Sequence, residues 1–240
     1  MKLHYNRILL KLSGEALMGD ADYGICNTTL EYVSKEVKSL VQTGVEVAIV
    51  IGAGNIFRGI SGASKGMNRV AADNMGMLAT VMNSLALENA FSQTGIEARV
   101  LSSIPMPLVC ESYSRQQAIH HLNKKRVVIF GAGSGNPYFT TDTAAVLRGL
   151  EINAEVICKA TRVDGVYDRD PLKDSSAVKY EQLSYSDVLS NRLKVMDSTA
   201  ISLAMDNAIQ IMVFNMNTPG NITAAVCGKN IGTIIKGDTK

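Results

Sequence analysis

The stretch VEVAIVIGAGNIFRG, residues 45–59, decides how this chain is read. Its first seven residues form a Val/Ile-rich run, as expected of a parallel strand buried on both faces. Its glycine-rich end, Gly52 to Gly59, lets backbone approach a phosphate closely, because glycine has no Cβ. Residues 126–142, RVVIFGAGSGNPYFTTD, repeat the arrangement, with a second glycine-rich run from Gly131 to Asp142. Two strand-to-glycine junctions in one chain suggest two ligands that both carry phosphate.

Working outward, apolar strands are predicted at residues 8–12, 45–51, 98–101, 126–130, 155–159 and 210–214. They alternate with helical patterns, the signature of an α/β fold with a mostly parallel sheet covered on both faces. Thr28 with Glu31 reads as a capping box, followed by Leu30, Val33, Val37, Leu40 and Val41 at helical spacing. Ser114 with Gln117 opens another helix in the same way. The Met-rich segment at residues 75–91 reads as a long helix serving the core or a subunit interface. Residues 168–180, DRDPLKDSSAVKY, are the most polar and turn-rich. A single domain is expected, softly divided into a part covering about 1–150 and a smaller part covering about 151–240.

Bulk properties narrow the chemistry. The 240 residues carry a net charge of +2, 46% hydrophobic residues and no Trp. A duplex binder would carry a larger basic surplus, and a single-strand binder would need aromatic platforms. No nucleic-acid partner is expected. Cys26, Cys110, Cys158 and Cys227 form no C-x-x-C pair and read as reduced thiols, mostly packed as small hydrophobes. His4, His120 and His121 lack zinc-site spacing. The start, MKLHYNRILLKLSG, lacks the long apolar core of a signal peptide, and no run of ~20 apolar residues could span a bilayer. The expectation is a cytoplasmic protein with no membrane partner.

Known phosphate fingerprints fail in turn. Neither glycine run has the third glycine of G-x-G-x-x-G, and Pro137 stands where a helix should begin. Gly14 to Gly19 have Walker A spacing, but Asp20 occupies the lysine position, and that cation is essential. Ser134 narrowly misses the hydrolase elbow, with Ala132 two residues before it. What remains is phosphate binding with cations outside the glycine loops. Lys11, before Ser13 and Gly14 at the end of the first strand, is placed where open parallel sheets build their ligand crevice. Arg58 follows the second strand. A helix starting near Asn55 would aim N–H groups at an anion, and Arg58 could bind the same phosphate bidentately.

Taken together, RILLKLSGEAL, IGAGNIFRG, GMNRVAADNMGMLATVMNSLAL, GNPYFTTDTAA, KATRVDGVYDRDP and LKVMDSTA resemble, in order and over essentially the whole chain, the bacterial uridylate kinases of the amino-acid-kinase superfamily. The resemblance implies a three-layer α/β/α sandwich around a mostly parallel sheet. It implies transfer of the ATP γ-phosphoryl group to UMP in pyrimidine nucleotide synthesis, with Mg²⁺ brought by ATP. It further implies a cytoplasmic homohexamer activated by GTP and inhibited by UTP.

The same resemblance assigns roles to positions. Lys11, Leu12, Ser13 and Gly14 become the first ATP-contacting stretch, with Lys11 neutralising the transferred group and Arg58 also catalytic. Gly54 and Arg58 contact ATP phosphates. Thr161, Tyr167 and Asp170 contact adenosine. Ala53 helps hold UMP where the family usually has Gly; that contact survives if its φ stays negative. Asp73 binds the UMP ribose. Ser134, Gly135, Asn136, Pro137, Tyr138, Phe139, Thr140 and Thr141 surround uracil and the acceptor phosphate. Asp197 is the acid expected to orient the active-site lysine. Gly19, Asp20, Ala21, Asp22, Tyr23 and Gly24 correspond to the segment linked to GTP activation. A superfamily kinase making an acyl phosphate from an amino acid is the competing reading, along with a non-catalytic nucleotide binder.

Overall fold

A computed structural model describes residues 3–57 and 66–237. The six predicted strands form as β1 (Arg7–Leu12), β2 (Glu46–Ile51), β3 (Ala98–Ser102), β5 (Val127–Gly131), β6 (Val156–Thr161) and β10 (Gln210–Asn215). Short strands β4 (Glu111–Ser112), β9 (Gln182–Ser184) and β11 (Thr233–Lys236) join them. The sheet runs β4-β3-β5-β2-β1-β6-β10-β11-β9. All neighbouring pairs are parallel except β10 with β11. A separate hairpin pairs β7 (Val166–Tyr167) with β8 (Lys179–Tyr180). The polar residues 168–180 lie in and around its connection, where Asp168 Oδ1 accepts from the Val178 N–H at 2.8 Å.

Helices cover both faces, so the three-layer α/β/α expectation holds. On one face α1 (Asn27–Val41), α2 (Arg69–Gln93) and α7 (Asn221–Val226) pack through Val33, Val37, Leu87, Phe91 and Ile222. On the other, α3 (Arg115–Asn123), α4 (Thr141–Glu151), α5 (Tyr185–Ser190) and α6 (Ser198–Asp206) pack through Leu122, Val146, Val188 and Ile201. Strand side chains alternate between these cores. Thus Ile8, Leu10 and Leu12 of β1 enter the first core and Leu9 the second.

Four local expectations meet different outcomes. Ser114 caps α3, accepting from the Gln117 N–H at 3.1 Å. Thr28 does not cap α1: the helix starts at Asn27, after Cys26, whose Sγ lies 3.0 Å from the Thr28 hydroxyl. The extended backbone at Cys26 sets that start two residues earlier than the side-chain pattern suggests. Of the four thiols only Cys158 is fully buried, and burial pushes it up to about 12. The Met-rich helix is core on one side, through Met77 and Val81, while Met75, Leu78 and Met82 are exposed on the other.

Candidate active site

The site grows from the alternation along β1 and β6. Lys11 and Lys159 are register partners on these adjacent parallel strands. Each stands one step beyond a residue of the second core, Leu9 and Ile157 respectively. They therefore replace apolar side chains at the edge of that core, beneath the first turn of α4. Asp142 lies in that turn, where a helix N-terminus favours a carboxylate. Its carboxylate ion-pairs with Lys11 Nζ at 2.7 Å and Lys159 Nζ at 2.9 Å. Burial would raise the Asp142 carboxyl, but Lys11 and Lys159 outweigh it and hold the group below the usual carboxylate range. Burial dominates at Lys159 and lowers its ammonium, against the opposing pull of Asp142. Lys159 also donates to the Val195 carbonyl.

Lys11 opens into a cleft of about 510 Å³. Its floor is where the loops after β1 and β2 meet. A Cβ on Gly14 would fall 2.5 Å from Asn55 Oδ1 and 2.7 Å from both the Gly52 oxygen and the Gly54 nitrogen, so only glycine fits. Ala53 is absent from the positive-φ residues, so replacing glycine there costs no backbone strain. Residues 53–57 form a turn, with Ile56 and Phe57 N–H groups bonded to the Ala53 oxygen. Among the described residues no helix starts near Asn55, which is buried and exchanges amide hydrogen bonds with Asn83 at 2.8 and 3.0 Å. Asn83 also holds the Gly52 oxygen at 2.8 Å. Arg58 lies outside the described residues.

Across the cleft, Asp73 Oδ2 accepts from Arg69 Nε at 2.7 Å and from the Tyr138 N–H at 2.8 Å. The loop after β5 is tightly folded: Ala132, Gly133, Gly135 and Tyr138 all have positive φ. Such a conformation is costly for alanine and tyrosine and must be held from outside. The Thr80 hydroxyl holds one end, accepting from the Ala132 N–H at 2.8 Å. Ser134, Phe139, Thr140 and Thr141 line the cleft with Ser13, Gly14, Ala53, Gly54 and Asp73. Gly135, Asn136, Pro137 and Tyr138 complete the loop without lining it. Leu12 is fully buried beneath the cleft.

Lys159 opens into a second cleft of about 550 Å³. Thr161, Tyr167 and Asp170 line it together, as the resemblance implies. The Thr161 hydroxyl donates to the Val163 oxygen at 2.6 Å, and the Tyr167 hydroxyl to Asp164 Oδ1 at 2.5 Å. Asp170 Oδ1 accepts from the Leu172 N–H at 3.0 Å.

Asp197 does not take the role expected of it. It caps α6, accepting from the Ala200 N–H at 2.8 Å, and receives hydroxyl bonds from Thr143 and Thr140. The acid that contacts Lys11 is Asp142 instead, because it stands on the helix directly over β1. Gly19 and Asp20 line a third cleft with Thr28, Tyr32 and Arg162. Ala21, Asp22 and Tyr23 are exposed beside it, and Gly24 exchanges hydrogen bonds with Asn55. Lys159 and Asp142 were missed in the sequence. Lys159 carries the same signal as Lys11, a lysine near the end of an apolar strand, and could have been found by it.

Comparisons with known proteins agree with this geometry. A model of the amino acid kinase family matches residues 6–215. The chain is similar to the UMP kinase of Bacillus anthracis, with 43% identity and a TM-score of 0.94, covering 98% of this chain and 97% of that one. It is similar to the UMP kinase of Ureaplasma parvum, at 37% identity and a TM-score of 0.91, covering 98% of this chain and 100% of the other. Similarity extends to the uridylate kinase of Archaeoglobus fulgidus, at 30% identity and a TM-score of 0.73, over 95% of this chain and 99% of that one.

Proposed function

The chain belongs to the amino acid kinase family, and we propose that it transfers the γ-phosphoryl group of ATP to UMP, giving UDP and ADP. The observation that carries this reading is the Lys11–Asp142–Lys159 arrangement. One lysine lines each of the two clefts, and one carboxylate ion-pairs with both lysines. The acceptor phosphate of UMP is already ionised near neutral pH, so no general base is needed. The chain's task is to align two polyanions and to stabilise charge on the group in transit. Two ammonium groups sharing one carboxylate leave net positive charge at that point, in partly dry surroundings where it acts strongly.

In this reading the cleft of Lys11 takes UMP, with Asp73 toward the ribose and the loop from Ser134 to Thr141 around uracil and phosphate. The cleft of Lys159 takes adenosine, against Thr161, Tyr167 and Asp170. The 1–150 part would thus hold the acceptor and the 151–240 part the adenosine of the donor. Leu12 to Gly14 and Gly54 would offer backbone to the ATP phosphates, Arg58 is assigned there by the resemblance alone, and Asp197 supports Thr140 and Thr143 at the start of α4. Among the described residues no three His, Cys, Asp or Glu side chains converge as a metal cage. Mg²⁺ would come with the triphosphate and would screen its phosphate oxygens.

The exposed Met75, Leu78 and Met82 of α2 support assembly into the homohexamer. The hydrogen bonds between Gly24 and Asn55 give the GTP-linked segment a physical connection to the phosphate loop. UTP inhibition is expected at the uracil-binding cleft. A cytoplasmic site in pyrimidine synthesis fits, and no helix among the described residues is long and apolar enough to cross a membrane.

A panel of nucleoside monophosphates with Mg·ATP tests the reading. UMP should give the highest kcat/KM, and glutamate and aspartate no turnover. Turnover of an amino acid in preference to UMP would overturn it.

A further inference from the structure

The glycine-rich loop after β5 is braced from a second side by residues far from the chemistry. Ser103, just past β3, donates its hydroxyl hydrogen to the Gly133 oxygen at 2.9 Å. The Ser103 oxygen accepts from Arg148 Nη2, also at 2.9 Å. The direction of this chain is fixed, because a carbonyl only accepts and a guanidinium only donates. A Cβ on Gly135 would meet Ser103 Cβ at 3.1 Å, so the serine also abuts the loop's tightest bend.

Arg148 is itself held firmly. It is buried on α4, with Nη1 on Glu151 Oε2 and its guanidinium carbon 3.8 Å from the centre of the Tyr113 ring. Tyr113 donates its hydroxyl to the same Glu151 oxygen. Arg148 Nε is buried with no hydrogen-bond partner among the described residues. A buried cation with an unmade bond costs free energy that an apolar side chain would not, so packing alone does not account for arginine here. A charged donor also polarises the hydroxyl it touches and strengthens that hydroxyl's own bond.

We propose that Arg148 is a positioning residue for the acceptor nucleotide, acting through Ser103 to fix the loop from Ala132 to Tyr138. The inference rests on the reading of that loop as the UMP site. Neither side chain lines the cleft, so neither touches substrate. Their effect falls on the acceptor and leaves the donor alone, because the second cleft is built from other segments.

Steady-state kinetics with each substrate varied in turn test this on Ser103→Ala, Ser103→Thr, Arg148→Met and the double variant Ser103→Ala/Arg148→Met. Loss of one such hydrogen bond should raise KM for UMP by about five- to tenfold. KM for ATP should move by less than about twofold. Ser103→Thr keeps the hydroxyl and should restore KM for UMP. The double variant should be no worse than Ser103→Ala, since Arg148 acts on the loop only through that hydroxyl. Should Arg148→Met fail to fold, Ser103→Ala with Ser103→Thr decides alone. An unchanged KM for UMP in Ser103→Ala, equal rises in both KM values, or multiplied effects in the double variant would overturn the inference while the kinase reading stands. A wild-type protein inactive on UMP would remove both.

Discussion

Lys11 and Lys159 stand opposite each other on neighbouring parallel strands, in register, and both reach the carboxylate of Asp142, at 2.7 and 2.9 Å. Two ammonium groups this close repel, and the repulsion grows as water is excluded. Asp142 makes their proximity tolerable without cancelling it. The remainder is a fixed positive charge carried by two lysines that line one cleft each, suited to a phosphoryl group in transfer.

The pH dependence of turnover should report Lys159. Burial holds its ammonium below the ordinary value of 10.5, so it loses its proton at a lower pH than an exposed lysine. The charged form is the useful one. kcat should therefore be level on the acid side of that point and fall as pH rises through it, before 10.5 is reached. Lys159→Arg, which keeps its charge, should be slower overall but lack this alkaline fall. An identical fall in the arginine variant would assign it to another group.

Gly14→Ala should damage both stability and ATP use. The new Cβ would collide with backbone atoms of Gly52 and Gly54, which cannot rotate away. Overpacking of this kind costs about 1–3 kcal/mol, or roughly 2–10 °C in Tm for a chain of this size. Thermal melts should show that loss and kinetics a higher KM for ATP; wild-type values in both would contradict the close approach.

Thr141→Val should raise KM for UMP with little change for ATP. Thr140 already spends its hydroxyl on capping Asp142 N–H and on Asp197, whereas Thr141 lines the cleft. Loss of one ligand hydrogen bond predicts about a five- to tenfold rise. Equal effects on both substrates would move Thr141 out of the acceptor site.

Met82→Glu should disrupt assembly. Met82 is 55% exposed and lies on one helix with exposed Met75 and Leu78. A carboxylate in that apolar stripe would be stranded on association. Sedimentation velocity should show the proposed hexamer for the wild type and smaller species for Met82→Glu; the same assembly in both would place the interface elsewhere.

The central sheet was legible because its six main strands are continuous apolar runs, and buried parallel strands leave that signature. The short strands β4, β7, β8, β9 and β11 were not, since two to four residues carry no clear alternation. Lys11 and the loop from Ser134 to Thr141 could be placed at one crevice because they stand at strand ends, whereas Asp73 was placed there by resemblance. Asp142 was hidden by its ordinary place in a helix's first turn. Asp197 drew the orienting role by resemblance, yet its carboxylate is spent on a helix cap and two threonines. Arg148 gave no sign, because its reach across to Ser103 depends on tertiary packing alone.

The most direct test is kcat for UMP with saturating Mg·ATP in Lys11→Met, alongside its thermal melt. With the transferred charge left half-compensated, kcat should fall by about 10²–10⁴-fold while the protein remains folded. A folded Lys11→Met enzyme with wild-type kcat would contradict the claim that paired lysines carry the phosphoryl group between the clefts.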